Sequence, residues 1–104
     1  GMPRTYDNEF VTFVKQQDPN KTGIALARAC IDANLPAKYV AVALKVTRMT
    51  LHSWFRGKPI REKNRLIAEV FTDLVESDTA KGILPAKSTL HAKEYIEEMI
   101  GRKI

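Results

Sequence analysis

Residues 36–58 read PAKYVAVALKVTRMTLHSWFRGK. Pro36 suits the first turn of a helix, and a short helix is expected over 36–44. Lys45 and Val46 form a tight connection, and Thr47 is a good N-cap for a second helix running to about Arg56. Gly57 closes that helix where a left-handed residue is usual, and Pro59 enforces the break. Two short helices joined by a turn of three to four residues make a helix-turn-helix. Ala41 is small enough to let the pair cross closely, and Leu44 and Val46 fill the inner corner of the turn. At 100° per residue from Thr47, Leu51, Trp54 and Phe55 share one side. Arg48, Met49, His52, Ser53 and Arg56 fall on the other. Trp54 is therefore expected in the core.

Working outward, Tyr6, Phe10, Phe13 and Val14 give an amphipathic signal for a helix over 7–17, broken by Asp18-Pro19-Asn20. Thr22 is the expected cap of a helix over 23–33, with Ile24, Ala27, Cys30 and Ile31 on one stripe and Cys30 as a small core residue. Beyond the motif, Leu66, Ile67, Val70, Phe71, Leu74 and Val75 recur in pairs every four residues, predicting a strong helical stripe over 61–77. Residues 77–87 read as a loop pinned by Ile83 and Leu84. Ser88 caps a last helix carrying Ala92, Tyr95, Ile96, Met99 and Ile100, with Gly101 at its end. No strand alternation occurs. The fold class expected is all-α, a compact bundle of five to six short helices containing the helix-turn-helix. Its segments are 1–21, an N-terminal segment with a short helix, 22–78, the helix-turn-helix core, and 79–104, a loop and C-terminal helix that packs on the core or dimerises.

The charge follows the motif. The chain of 104 residues has a net charge of +5. Residues 38–65 hold eight bases (Lys38, Lys45, Arg48, Arg56, Lys58, Arg61, Lys63 and Arg65) against Glu62 alone, a net +7. The other 76 residues hold nine bases and eleven acids, a net −2. A solvated helix face usually mixes both signs, whereas a block of one sign repels itself and suits a polyanion. No apolar run approaches a membrane span, and no basic region with a following apolar block marks a signal peptide. Gly1 ahead of Met2 reads as an expression remnant. A single cysteine builds neither a disulfide nor a cysteine-based zinc site, which fits a cytoplasmic location. His52 and His91 are far apart in sequence, and no glycine-rich phosphate loop, nucleophile elbow or His-Glu zinc motif is present. No enzyme, metal or cofactor is expected.

The pattern Ala41-x-x-Leu44-x-Val46-Thr47-x-x-x-Leu51-x-x-Trp54-x-x-Gly57 resembles the lambda-repressor-like helix-turn-helix family, the Cro/repressor type of phages and bacteria. With flanking helices the resemblance extends over about residues 22–76. The family's turn position usually holds glycine, where this chain has Lys45. A non-glycine residue in the left-handed region costs about 1–2 kcal/mol. The resemblance implies that helix 47–56 enters the major groove of double-stranded DNA. Arg48, Met49, His52 and Ser53 would then face base edges, and Thr47, Arg56 and Lys58 would meet phosphates. Arg61, Lys63 and Arg65 either join them or solvate the next helix. Lys38 would meet the backbone across the groove, and Lys45 points at phosphate.

The function this implies is that of a small phage or bacterial transcriptional regulator acting by operator occupancy. Two other readings stand beside it: a DNA-packaging component akin to a small terminase subunit, and a helix-turn-helix used for protein contact. One short helix reads few base pairs, so a homodimer is expected. Its candidate surface is the C-terminal helix, through Tyr95, Ile96, Met99 and Ile100. The alternative is that this stripe packs back on Phe10 and Phe13 of the N-terminal helix.

Overall fold

The computed structural model describes residues 5–104, so the reading of Gly1 and Met2 lies outside them. Six helices follow one another: α1 Asn8–Lys15, α2 Thr22–Ala33, α3 Ala37–Leu44, α4 Arg48–Phe55, α5 Glu62–Ala80 and α6 Thr89–Ile100. Among the described residues there is no strand, and the class is all-α. Among the described residues, no helix is long and apolar enough to cross a membrane.

Side chains begin three of the helices. Asp7 Oδ1 accepts from Phe10 N–H at 2.8 Å, Thr47 Oγ1 from Thr50 N–H at 3.0 Å, and Ser88 Oγ from His91 N–H at 3.0 Å. Each satisfies an amide that the helix itself leaves without a partner. Thr22 does not cap α2 but is its first residue, and Lys21 at the cap position makes no side-chain cap bond. The turn before it does the work: Asp18 takes Asn20 N–H on its carboxylate and Lys21 N–H on its carbonyl.

Left-handed residues end five of the helices, α1 alone closing on a right-handed Gln16. Asn34 closes α2, Lys45 α3, Gly57 α4, Gly82 α5 and Gly101 α6. At each, the next amide reaches back five residues to a helix carbonyl, as in Val46 N–H to Ala41 O and Lys58 N–H to Ser53 O. This closure turns the chain within a residue or two and fills an orphan acceptor.

α2 lies at the centre. Gly23, Ile24, Leu26, Ala27, Ala29, Cys30 and Ala33 are all buried, so α2 is covered on nearly every side. α5 runs across it through Ala68, Phe71, Thr72 and Val75, and α1 and α4 pack on its other faces. Burial without a cation nearby pushes the Cys30 thiol far above its ordinary range, so it stays protonated and inert. Tyr6 stacks on Phe10 and meets Phe55 edge-on, while its hydroxyl donates to Leu35 O at 2.6 Å. Asn34 ties together distant parts of the chain: its Oδ1 accepts from Thr5 N–H and its Nδ2 donates to Ala86 O. Ala86 N–H in turn donates to Ala33 O at 2.8 Å.

Two expectations change. The stripe on α5 is not one buried face. Phe71 and Val75 bury with Ala68, but Leu66, Ile67, Val70 and Leu74 stand exposed on the opposite side. The four-residue pairing concealed two faces, because adjacent members of each pair lie 100° apart and α2 covers only one of them. α5 also continues to Ala80, where Tyr95 Oη donates to Asp78 Oδ2 at 2.6 Å and holds the last turn against α6. The α6 stripe, meanwhile, packs chiefly on α3 rather than on α1. Ala92 and Ile96 bury in the core and α6 packs on α3, while Phe10 is taken up by Tyr6 and Phe55.

One contact sets the helix spacing. A Cβ on Gly23 would lie 2.7 Å from the Trp54 carbonyl carbon and closer still to its oxygen. α2 and α4 therefore touch backbone to backbone, and no side chain fits between them. Gly23→Ala is expected to cost about 1–3 kcal/mol of unfolding free energy as an overpacked contact, read by urea denaturation. An unchanged midpoint would mean that this approach does not fix the spacing.

Candidate nucleic-acid interface

Seating α4 on α2 settles which of its side chains project. Leu51, Trp54 and Phe55 are buried, and Arg48, Met49, His52, Ser53 and Arg56 are exposed, as the helical phase predicts. Met49 is 83% exposed, a large apolar side chain held out in water at the crest beside Ser53. The hydroxyl of Thr47 also donates to Thr50 Oγ1 at 3.1 Å, which fixes both threonines at the helix start.

The basic side chains divide between two open clefts on opposite sides of α4. One, of about 670 Å³, is bounded by the turn, the start of α4 and the start of α5. Lys45, Thr47, Thr50, Arg61, Lys63 and Asn64 supply its polar lining. The other, of about 370 Å³, lies between α4, the start of α3 and the N-terminal segment. Lys38, Arg48, His52 and Arg56 line it together with Asp7 and Phe10. The amino end of α4, with its partial positive charge, opens toward the first cleft through Thr47 and Thr50.

Local packing holds several of these groups. The Arg56 guanidinium lies 5.6 Å from the Phe13 ring centroid, a cation–π contact that ties the second cleft to α1. The Lys38 ammonium sits 5.1 Å from the Tyr39 ring, and the His52 ring meets Phe55 edge-on at 5.9 Å. Lys45 occupies the left-handed turn at φ 58° and ψ 42°, so the turn keeps its geometry without glycine. Lys58 lies just past Gly57 and lines neither cleft, and Arg65 is drawn aside into an exposed ion pair with Glu62 at 2.7 Å. Among the described residues, Lys38, Lys45, Arg48, Arg56, Lys58, Arg61 and Lys63 make no ion pair.

The sequence reading did not single out Thr50, Asn64 or the aromatic support from Phe13. The i,i+3 spacing of Thr47 with Thr50, and of Arg61 with Asn64, was the available signal, since it puts each pair on one helix face. Phe13 reaches Arg56 only through the tertiary fold, and nothing local announces it. No group of three or more His, Cys, Asp or Glu among the described residues is placed to hold a metal ion. His91 instead works locally, its Nδ1 accepting from Lys87 N–H at 2.9 Å.

Compared with protein-family models, curated proteins and solved structures, the chain matches none. The reading of this surface therefore rests on its own geometry and charge.

Chemically, the surface offers a projecting helix with polar and thioether groups on its crest and unpaired cations along both flanks. Lys45 bears a conformational cost that glycine would not. Lys45→Gly is expected to raise stability by up to about 1 kcal/mol, the strain relieved less the extra chain entropy of glycine. Thermal denaturation checks it, and a clear loss of stability would show that Lys45 contributes contacts that outweigh its backbone strain.

Proposed function

We propose that this protein binds double-stranded DNA sequence-specifically, with α4 in the major groove, as a small phage or bacterial transcriptional regulator of the lambda-repressor-like type. It acts by occupying an operator. The observation that carries the reading is the division of unpaired cations between the two flanks of one projecting helix. An α-helix with its side chains is about 10–12 Å across and the major groove about 12 Å wide, so a phosphate strand borders each flank of a helix lying in it. Lys45, Arg61 and Lys63 then face one strand, and Lys38 and Arg56 the other. Met49 and Ser53 on the crest, with Arg48 and His52 at its edge over the second cleft, then face base edges: arginine suits guanine, serine and histidine suit polar edges, and the thioether suits a thymine methyl. A helix held rigid loses little backbone freedom when it binds, and α2 beneath α4 supplies that rigidity.

Phosphate and base contacts separate in experiment. Arg56→Ala and Arg61→Ala, one from each flank, are expected to weaken binding to every DNA sequence. Each should also reduce the slope of log affinity against log salt by about 1. Fluorescence anisotropy over a salt series measures this, and an unchanged slope in both variants would remove the phosphate role.

Met49→Ala and His52→Ala are expected to change which sequences win a selection from random duplexes, with little change in non-specific affinity. If the wild-type chain enriches no sequence, or if both variants enrich the same one as wild type, α4 is not the reader.

A further inference from the structure

The side of α5 turned away from the core is an apolar ridge. Leu66 is 68% exposed, Ile67 53%, Val70 57% and Leu74 42%. At 100° per residue the four fall within about 100° of arc, opposite the buried Ala68 and Thr72. Scattered apolar residues are ordinary at a surface, but a contiguous strip marks a face that something covers. From Leu66 to Leu74 it runs about 12 Å, at 1.5 Å per residue. Beside it lies a groove of about 450 Å³ between α5 and the start of α2, with Thr22 and Ala25 on its far wall.

One edge of the strip is acidic, and its sign says what covers it. Glu69, Asp73 and Glu76 fall within about 60° of arc next to Leu66, and all three line the groove. They are exposed and make no ion pair among the described residues. Spaced by four and by three, they repel one another along the helix and do nothing for α5 alone. The same carboxylates repel nucleic acid and an anionic lipid surface. A second copy does not answer them either: from Leu66 to Ala80 the helix holds no Lys or Arg, so two strips laid together bring the acids no base. We infer that this face docks a basic amphipathic helix of another protein. Apolar residues of that helix, spaced by three and four, cover Leu66, Val70 and Leu74. Lys or Arg along one of its edges reach Glu69, Asp73 and Glu76, their aliphatic stems lying in the groove over Ala25. A ridge beside a groove is the relief that a second helix fits, and the described residues offer no sheet edge for a strand.

The inference stands whether or not α4 reads DNA. Three synthetic helices of about 18 residues test it, each with the same leucine stripe and with Lys, Gln or Glu along one edge. Fluorescence anisotropy with the full chain, without DNA, is expected to show the lysine helix binding about tenfold or more tighter than the glutamate helix. The glutamine helix should fall between them, and salt should shrink the difference. Reversing the edge by Glu69→Lys, Asp73→Lys and Glu76→Lys together should reverse the order. Val70→Asp adds an acid but breaks the apolar contact, and should weaken the lysine helix about tenfold. Every altered position is exposed, so the circular dichroism of both variants should match wild type. The inference is overturned if no helix binds, if all three bind alike, or if Val70→Asp takes the lysine helix as well as wild type does. Sedimentation showing self-association of the wild-type chain that Val70→Asp abolishes would overturn it too, since the face would then belong to a second copy.

Discussion

The backbone contact between Gly23 and the Trp54 carbonyl is the constraint on which the other packing depends. At this point α2 and α4 meet with no side chain between them. That closeness sinks Trp54 and Phe55 into the core and turns the opposite face of α4 fully outward. It also leaves α2 free to be covered elsewhere by α1 and α5, so a domain of this size gains a buried central helix. A larger residue at position 23 would lift α4 and loosen Leu51, Trp54 and Phe55 together.

How much of this the sequence disclosed depended on how local the cause was. α4 was legible because its cap, its apolar phase and its terminating glycine all lie within the helix or next to it: Thr47, Leu51, Trp54 and Gly57. The turn was legible in length and in its strained position, although Lys45 stands where glycine is usual. α5 was legible as a helix but not in its facing, because Leu66, Ile67, Val70 and Leu74 have the same composition as a core stripe. Only the position of α2 distinguishes the two sides. The partner of α6 was a tertiary matter as well, and so was the contact of Phe13 with Arg56. Gly23 was present to be read, since a glycine near a helix start usually marks a cap or a close approach. Its neighbour in the fold lies 31 positions away, beyond the reach of any local pattern.

The candidate interface was legible in composition and less so in arrangement. The +7 block located the charge in the chain. The fold adds that the block divides around α4, with Lys45, Arg61 and Lys63 on one flank and Lys38, Arg48 and Arg56 on the other. It also shows that Arg65 is engaged with Glu62 and that Lys58 lies apart from both clefts. A linear count treats these bases alike, whereas the surface ranks them by where they project.

The tie at Asn34 links parts of the chain that sequence keeps far apart. Its carboxamide holds Thr5 at one end and Ala86 toward the other, and the adjoining carbonyls of Ala33 and Leu35 engage Ala86 and Tyr6. Terminal segments of small domains usually fray independently. Here both are fastened to the same end of α2, so a movement of Asn34 releases hydrogen bonds to each of them. The end of α2 is thus the common anchor of the N-terminal segment and the loop before α6, and what disturbs that one turn disturbs both ends of the chain's path.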